Sequence, residues 1–351
     1  MAETNNTMVS TFTPDAAIII PGTQNLRIGE TNAIIARNLI VGTENPDILF
    51  GTPGDDEIKA LGGDDTIIGT TGNDLIDGGS GYDTLDYSNL GQAITLLPRG
   101  VIGEGSGSGG QISSIEKIIG AKGQKNTIDG SSGVGGASFD INLEANQLVV
   151  NNIPNLGSIS FRVENFVNVT GTPNKDSIVG NSANNVFDGL GGNDFLSGGL
   201  GNDTLQGGDG DDTLQGSTNV GTQRSPERDT LTGGAGVDKF ILGDASGSFY
   251  TKAGNQDFAK ITGFTFGEQI QLGTGSVYNI QRNKSGFNIS VVKDNVQDLI
   301  AQVTVFSGTA NARTSVAEGL TDFTTSALAN ALPSGDFTIS PEQNIGIFVG
   351  A

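Results

Sequence analysis

Aspartates recur every nine residues along two stretches of this chain, a spacing at which carboxylates act as a column rather than singly. From Gly42 the sequence reads GTENPDILF (42–50), GTPGDDEIK (51–59), ALGGDDTII (60–68), GTTGNDLID (69–77) and GGSGYDTLD (78–86). The sixth residue is always aspartate: Asp47, Asp56, Asp65, Asp74 and Asp83. The eighth is always a large aliphatic: Leu49, Ile58, Ile67, Ile76 and Leu85. A second array runs from Gly171 through GTPNKDSIV, GNSANNVFD, GLGGNDFLS, GGLGNDTLQ and GGDGDDTLQ (207–215). An irregular piece (216–223) interrupts it, and RSPERDTLT (224–232) and GGAGVDKFI (233–241) resume it. Its aspartates are Asp176, Asp194, Asp203, Asp212, Asp229 and Asp238, with Asn185 in the place of one.

Composition narrows what such a column can do. The chain contains no cysteine and no histidine. A disulfide framework is impossible, and the zinc, copper and haem sites that rely on those residues are disfavoured. Hard oxygen ligands remain, and they suit Ca²⁺. The net charge is −21 over 351 residues, which repels the phosphates of nucleic acid and a bare anionic bilayer alike. With 55 glycines the chain favours tight turns over long helices. Regular Ile, Leu and Phe inside the acidic stretches argue against disorder.

The elements that must position the column follow from the same nonapeptides. Six residues rich in Gly, Asn and Asp make a turn. Three residues with one aliphatic make a short strand. A lone strand of that length cannot bury its side chain, but stacked units line the aliphatics into a core. Stacking also sets the aspartates on neighbouring rungs about 4.8 Å apart. Two unit charges about 5 Å apart repel by roughly 0.8 kcal/mol in water, and by more where water is scarce. Divalent cations convert that repulsion into ligation. The plainer reading makes the aspartates turn formers on a metal-free solenoid, but turn chemistry alone would accept Asn or Ser where Asp dominates. Asp55, Asp64 and Asp211, at position five, read as solvated charges.

The nonapeptide G-G-x-G-x-D-x-U-x, with U large and apolar, resembles the RTX (haemolysin-type) calcium-binding repeat. GGLGNDTLQ and GGDGDDTLQ match it at every defined position. The resemblance implies an all-β fold, a right-handed parallel β-roll with two nonapeptides per coil and an ion between repeats i and i+2. It pairs Asp47 with Asp65, Asp56 with Asp74, Asp65 with Asp83, Asp176 with Asp194, Asp194 with Asp212, Asp203 with Asp229 and Asp212 with Asp238. The last two pairs require the stack to continue across 216–223. It also implies carbonyl ligands from positions two and four of one turn and one and three of the turn two repeats on. These are Thr43 and Asn45 with Ala60 and Gly62, Thr52 and Gly54 with Gly69 and Thr71, Leu61 and Gly63 with Gly78 and Ser80, and Leu190 and Gly192 with Gly207 and Asp209. The turn carrying Asn185 is expected to bind weakly or only structurally.

Around the arrays the chain divides into an N-terminal segment (1–41), the first array (42–86), a β spacer (87–170), the second array (171–241) and a C-terminal β cap (242–351). Ala93–Leu97, Phe139–Leu143 and Ile159–Val163 read as strands of the spacer, and 100–110 as a Gly/Ser loop. Phe287, Ile289 and Val291 alternate, Lys293-Asp294-Asn295 turns, and Leu299, Ala301, Val303 and Val305 alternate again, a hairpin that would shield the end of a solenoid. Met1–Asn6 lacks the basic and apolar regions of an N-terminal secretion signal, and Ala16–Ile20 is too short to span a membrane. The resemblance implies export by a type I secretion apparatus through a C-terminal signal in the tail that ends Gly346–Ala351.

Three functions compete at this level. The first is a secreted, extracellular, non-catalytic calcium-binding exoprotein, a structural, cell-surface or extracellular-matrix component that folds on meeting Ca²⁺. The second is an extracellular hydrolase or lyase acting on polysaccharide through carboxylates. Without histidine there is no H-E-x-x-H zinc site and no Ser-His-Asp triad, and no G-x-S-x-G elbow is present. The third is an adhesin or ice-binding roll, which needs a regular threonine rank; Thr43, Thr52 and Thr70 begin one that Leu61 and Gly79 break.

Overall fold

The computed structural model describes residues 37–97, 110–133, 135–218, 226–251, 253–265 and 267–305, with the backbone of short strands at 18–20, 102–103, 313–316, 323–324, 337–339 and 346–350. The readings made for residues 1–6, most of the 100–110 loop, 219–223 of the irregular piece with the first two residues of the repeat after it, and the tail outside 346–350 fall outside the described residues. The fold is all-β. Among the described residues the one helical element is a short 3-10 turn, Gly254–Gln256. The chain forms two compact units: Met1–Ile94 with Arg99–Gln124, and Thr95–Pro98 with Lys125–Ala351.

In the first unit two parallel ladders take alternate nonapeptides. Asn38–Val41, Asp56–Lys59, Leu75–Asp77 and Gln111–Ser113 form one. Ile48–Phe50, Thr66–Ile68, Thr84–Asp86 and Lys117–Ile119 form the other. The alternation follows from length: a turn and a strand of nine residues carry the chain to the opposite side, so only the repeat after next can pair. The eighth-position aliphatics then stack, with Leu49 against Ile67, Ile67 against Leu85, and Leu85 against Ile118. All four are completely buried. Each such side chain contributes about 1.5–3 kcal/mol through burial.

The second unit repeats the plan. Ser138–Asn142, Ser177–Val179, Phe195–Gly199, Thr213–Ser217, Lys239–Ile241 and Gln269–Gln271 make one parallel ladder. Its core column is Ile141, Ile178, Leu196, Leu214, Phe240 and Ile270, every member at 0 % exposure. Thr95–Leu96, Asn126–Asp129, Phe166–Thr170, Val186–Asp188, Thr204–Asp209, Arg228–Ala235 and Phe258–Phe264 make the other. The interruption after 215 does not break it, because Thr204 pairs with Thr230 across the longer connection. The spacer strands Ser138–Asn142, Gln147–Ile153 and Gly157–Glu164 form an antiparallel meander.

The expected hairpin is present as Gly286–Lys293 against Val296–Val305, turning through Asp294 and Asn295 at φ 51° and 60°. Val296–Val305 also joins Phe258–Phe264 in parallel and so covers the last rung of its ladder. One detail departs from strict alternation: Ile300 and Ala301 are both fully buried. The register shifts between Ile289 and Ser290, skipping Ile300. A bulge of this kind turns two successive side chains toward the core.

Candidate metal centre

The aspartate is the last residue of each turn, where the chain enters its strand, and the stack buries it. Asp56, Asp65, Asp74, Asp83, Asp176, Asp194, Asp203, Asp212, Asp229 and Asp238 are all at most 4 % exposed. Each pair two repeats apart is tied by a hydrogen bond from the earlier peptide N–H to Oδ1 of the later carboxylate. The distances are 2.7 Å for Asp47 to Asp65, 2.9 Å for Asp56 to Asp74 and 2.8 Å for Asp65 to Asp83. In the second array Asp176 to Asp194, Asp194 to Asp212 and Asp203 to Asp229 are 2.8 Å, and Asp212 to Asp238 is 3.0 Å.

The second carboxylate oxygen separates nine of the turns into two kinds. With Thr43, Thr52 and Thr172 at position two it is held within its own turn. Thr43 donates its N–H to Oδ2 of Asp47 at 2.5 Å, and Thr52 and Thr172 do the same for Asp56 and Asp176 at 2.6 Å. Where position two is Leu61, Gly79, Leu190, Gly199, Gly208 or Gly234, that residue has positive φ. In those turns Oδ2 of Asp65, Asp83, Asp194, Asp203, Asp212 and Asp238 is buried with no hydrogen-bond partner among the described residues. A buried, unpartnered carboxylate oxygen is costly. Asp65 and Asp83 are neighbours on one ladder, Asp194, Asp212 and Asp238 on another, and Asp203 lies on a third; together they are donors for hard cations.

The proton affinities report the same strain. Burial pushes Asp194 and Asp203 up to about 8, with repulsion from Asp176 and Asp212 on the first and from Asp229 on the second. Burial likewise pushes Asp229 up to about 7 and Asp176 and Asp212 to about 6. It also raises Asp65, Asp83 and Asp238. Charging all of these carboxylates at once is therefore unfavourable in the metal-free fold.

The backbone around the carboxylates is a cradle of carbonyls. A Cβ at Gly81 would run into the Gly63 carbonyl, and one at Gly210 into that of Gly192; both glycines have positive φ, 138° and 134°. Position-one carbonyls lie close as well: those of Ala60 and Gly207 abut Gly42 and Gly189, two repeats earlier. Other carbonyls implied as ligands already accept backbone bonds between turns. Thr43 takes Gly62 N–H at 3.1 Å, Leu61 takes Ser80 N–H at 2.9 Å and Leu190 takes Asp209 N–H at 2.8 Å; Ser80 and Asp209 accept from Gly63 and Gly192 at 2.9 and 2.8 Å. A carbonyl keeps a second lone pair after one such bond. Thr52 accepts from Thr70 Oγ1, while Thr71 hangs by its own hydroxyl on the Pro53 carbonyl at 3.2 Å. Gly69 faces the Tyr87 ring, and the Gly54 carbonyl faces Gly72. Asn45 accepts from Thr43 Oγ1 at 3.3 Å. Gly78 is flanked by Oδ2 of Asp83.

Several participants were not read from the sequence. Position five is more than solvated charge. Oδ1 of Asp55, Asp64 and Asp211 accepts the N–H of Asn73, Tyr82 and Val237 at 2.9, 2.9 and 2.8 Å. Asn184 and Asn193 do the same for Asn202 and Asp211, so an uncharged amide serves equally. This second ladder runs in the opposite sense to that of position six. Asn185 donates Nδ2 to the Val167 carbonyl at 2.7 Å, a bond a carboxylate could not make. Asn38 stands in the aspartate rank beside Asp56 and donates to its Oδ1 at 3.1 Å. Asn38 and Ile40 continue the sixth- and eighth-position columns one nonapeptide back, a signal present in the sequence. Tyr250, fully enclosed, donates its hydroxyl to Oδ2 of Asp229 at 2.5 Å. Glu268 takes the rung after Asp238, and burial pushes it up to about 7.

Among the described residues no three carboxylates converge on one point. What the column offers instead is pairs of aspartates among carbonyls, a donor set of hard oxygens that suits Ca²⁺. Among the same residues no helix is long and apolar enough to cross a membrane.

Comparison with known proteins agrees with this chemistry. The RTX calcium-binding nonapeptide repeat matches in four copies, at residues 50–85, 170–205, 198–218 and 226–246. No curated protein matches the chain. Among solved structures, the extracellular lipase LipA from Serratia marcescens is similar at 16 % identity with a TM-score of 0.20, over 79 % of this chain and 39 % of that one. The chain thus spans well under half the length of that lipase, and a likeness at that score carries no argument.

Proposed function

We propose, for a chain that carries RTX calcium-binding nonapeptide repeats on a parallel β-roll, that it is an extracellular protein whose folding is switched by Ca²⁺ and whose role is structural rather than catalytic, at a cell surface or in a matrix. The observation that carries this reading is the set of six buried, unpartnered aspartate oxygens. They burden the metal-free fold and match a cation's needs.

When bound, Ca²⁺ supplies positive charge and a demand for several oxygen ligands. The chain's own residues do the rest. Asp65, Asp194, Asp203 and Asp212 present one oxygen to the neighbouring turn and hold register with the other. Their turns, with position two at positive φ, are the ones proposed to hold ions, together with the carbonyls of Leu61, Gly63, Gly78, Ser80, Leu190, Gly192, Gly207 and Asp209. The threonine turns of Asp47, Asp56 and Asp176, which stand early in their ladders, are proposed to close on their own N–H groups without need of metal. In a calcium-poor cytoplasm the columns repel and stay loose, a state suited to threading a type I exporter. Outside, calcium near millimolar saturates sites of the extracellular affinity class and stabilises the native state by mass action.

Circular dichroism with a calcium titration tests this. A disordered spectrum is expected in chelator and a β spectrum in about millimolar Ca²⁺, with no such change in Mg²⁺, which dehydrates reluctantly and prefers rigid octahedral sites. A fully folded, calcium-indifferent chain is the contrary result.

A further inference from the structure

We propose that Glu116, which lies outside the repeats, completes one more divalent-cation site with Asp83 at the end of the first array; this rests on the calcium reading of the repeats. In the second array the potential sites at Asp194 and Asp212 share three recurring parts. The earlier aspartate offers an unpartnered Oδ2, as Asp194 does. The position-one carbonyl of the turn two repeats on lies beside the earlier turn's first glycine, as the Gly207 carbonyl lies beside Gly189. The later carboxylate accepts the earlier aspartate's N–H, as Asp212 does from Asp194.

All three parts recur where the repeats have ended. Asp83 is fully buried and its Oδ2 has no partner among the described residues. A Cβ at Gly78 would meet both that oxygen and the Ser114 carbonyl, so the Ser114 carbonyl takes the place of a position-one carbonyl. The Asp83 N–H donates to Oε2 of Glu116 at 2.7 Å. Lys117 pairs in register with Thr84, which puts Glu116 on the rung after Asp83.

The local sequence differs in a compensating way. In a repeat the carbonyl and the carboxylate are five residues apart, whereas Ser114 and Glu116 are two apart. The shorter path places Ser114 at a φ of 51°, unusual for a non-glycine residue, and glutamate's extra methylene restores the reach. The chain between Asp83 and Glu116 is also longer than one coil, so no nonapeptide pattern marks the site. The end of the other array's second ladder shows what closure without an ion looks like. There the Tyr250 hydroxyl lies against Gly216, where the next carbonyl would be, and donates to Asp229 Oδ2. Among the described residues no hydroxyl does this for Asp83.

The test counts calcium bound per full-length chain by equilibrium dialysis in saturating Ca²⁺, with circular dichroism on the same samples. Glu116→Gln keeps an acceptor for the Asp83 N–H but loses the charge. Glu116→Lys places an ammonium beside Asp83 in lieu of the ion. One ion fewer than wild type, in either variant with the wild-type β spectrum, is the expected result. An unchanged count in a folded variant overturns the proposal. So does failure of both variants to fold, which would make Glu116 a purely structural closure. A wild-type chain that binds no calcium would refute the calcium reading itself, an outcome distinct from wild type binding calcium and Glu116→Gln binding as much.

Discussion

The Asp47 N–H donates to Oδ1 of Asp65 at 2.7 Å, yet the two carboxylates end differently. Oδ2 of Asp47 is held by the N–H and hydroxyl of Thr43, at 2.5 and 2.9 Å. Oδ2 of Asp65 is buried without a partner. One aspartate closes a turn and the other is the one proposed to face an ion. Asp47→Ala should therefore cost about 1 kcal/mol, the value of a lost local cap, and shift the calcium midpoint of folding slightly. Asp65→Ala should cost on the order of 3–5 kcal/mol in calcium, as breaking a buried charge pair does. Parallel calcium titrations followed by circular dichroism would separate the two; equal shifts would contradict the division into two kinds of turn.

Protons should partly replace calcium. Burial holds Asp194 and Asp203 at about 8, Asp229 at about 7 and Asp176 and Asp212 at about 6. All lie above the unfolded value of about 3.9, so the metal-free fold binds more protons than the unfolded chain. Its stability is then greatest below about pH 4 and is lost as pH rises through about 6 to 8. In chelator, β structure should be greater at about pH 5 than at about pH 8, while calcium should bind more tightly at the higher pH and release protons as it does. Spectra in chelator that do not change across this range, or calcium uptake without proton release, would be the opposing findings.

Much of this was legible in the sequence because the period is itself the geometry. Nine residues per half-coil force Asp194 onto Asp212 and Leu196 onto Leu214, so columns in the alignment become columns in space. What could not be read depends on backbone angle or on distance along the chain. Whether Oδ2 is capped turns on the φ of residues such as Leu61 and Leu190, and nothing in a leucine announces a positive φ. Tyr250 reaches Asp229 across twenty-one residues that hold no motif. Asn38 could have been found by extending both columns one unit back. The position-five ladder was hidden because Asp64 and Asn193 do the same work by accepting an N–H, so the residue type varies where the role does not.

Glycines in the stacked turns should be unequal. Gly210 has a φ of 134°, and a Cβ there would strike the Gly192 carbonyl. Gly91, also at positive φ (79°), would place a Cβ in open space. Gly91→Ala should cost about 1 kcal/mol from backbone strain alone. Gly210→Ala should exceed that, because it must also displace a carbonyl of the cradle, and so should weaken calcium-dependent folding. Urea unfolding in saturating calcium measures the first effect and the calcium midpoint the second; a Gly210→Ala chain with a wild-type midpoint would show that the cradle does not touch the ion.

Tyr250 offers a perturbation of the opposite character. Its hydroxyl donates to Oδ2 of Asp229 at 2.5 Å, and both groups are buried. Tyr250→Phe removes the donor with almost no change in shape and leaves that oxygen unpartnered, at a cost of about 1–3 kcal/mol. Because this row end is closed by a hydroxyl rather than an ion, the number of calcium ions bound should not change. The carboxyl of Asp229, already raised by burial with Tyr250 pulling it down, should rise further. The variant should therefore lose more stability at about pH 8 than at about pH 5, in calcium, by chemical denaturation. If it instead bound an additional ion and gained stability at the higher calcium concentration, Tyr250 would be a plug holding a metal site shut rather than the closure of a ladder.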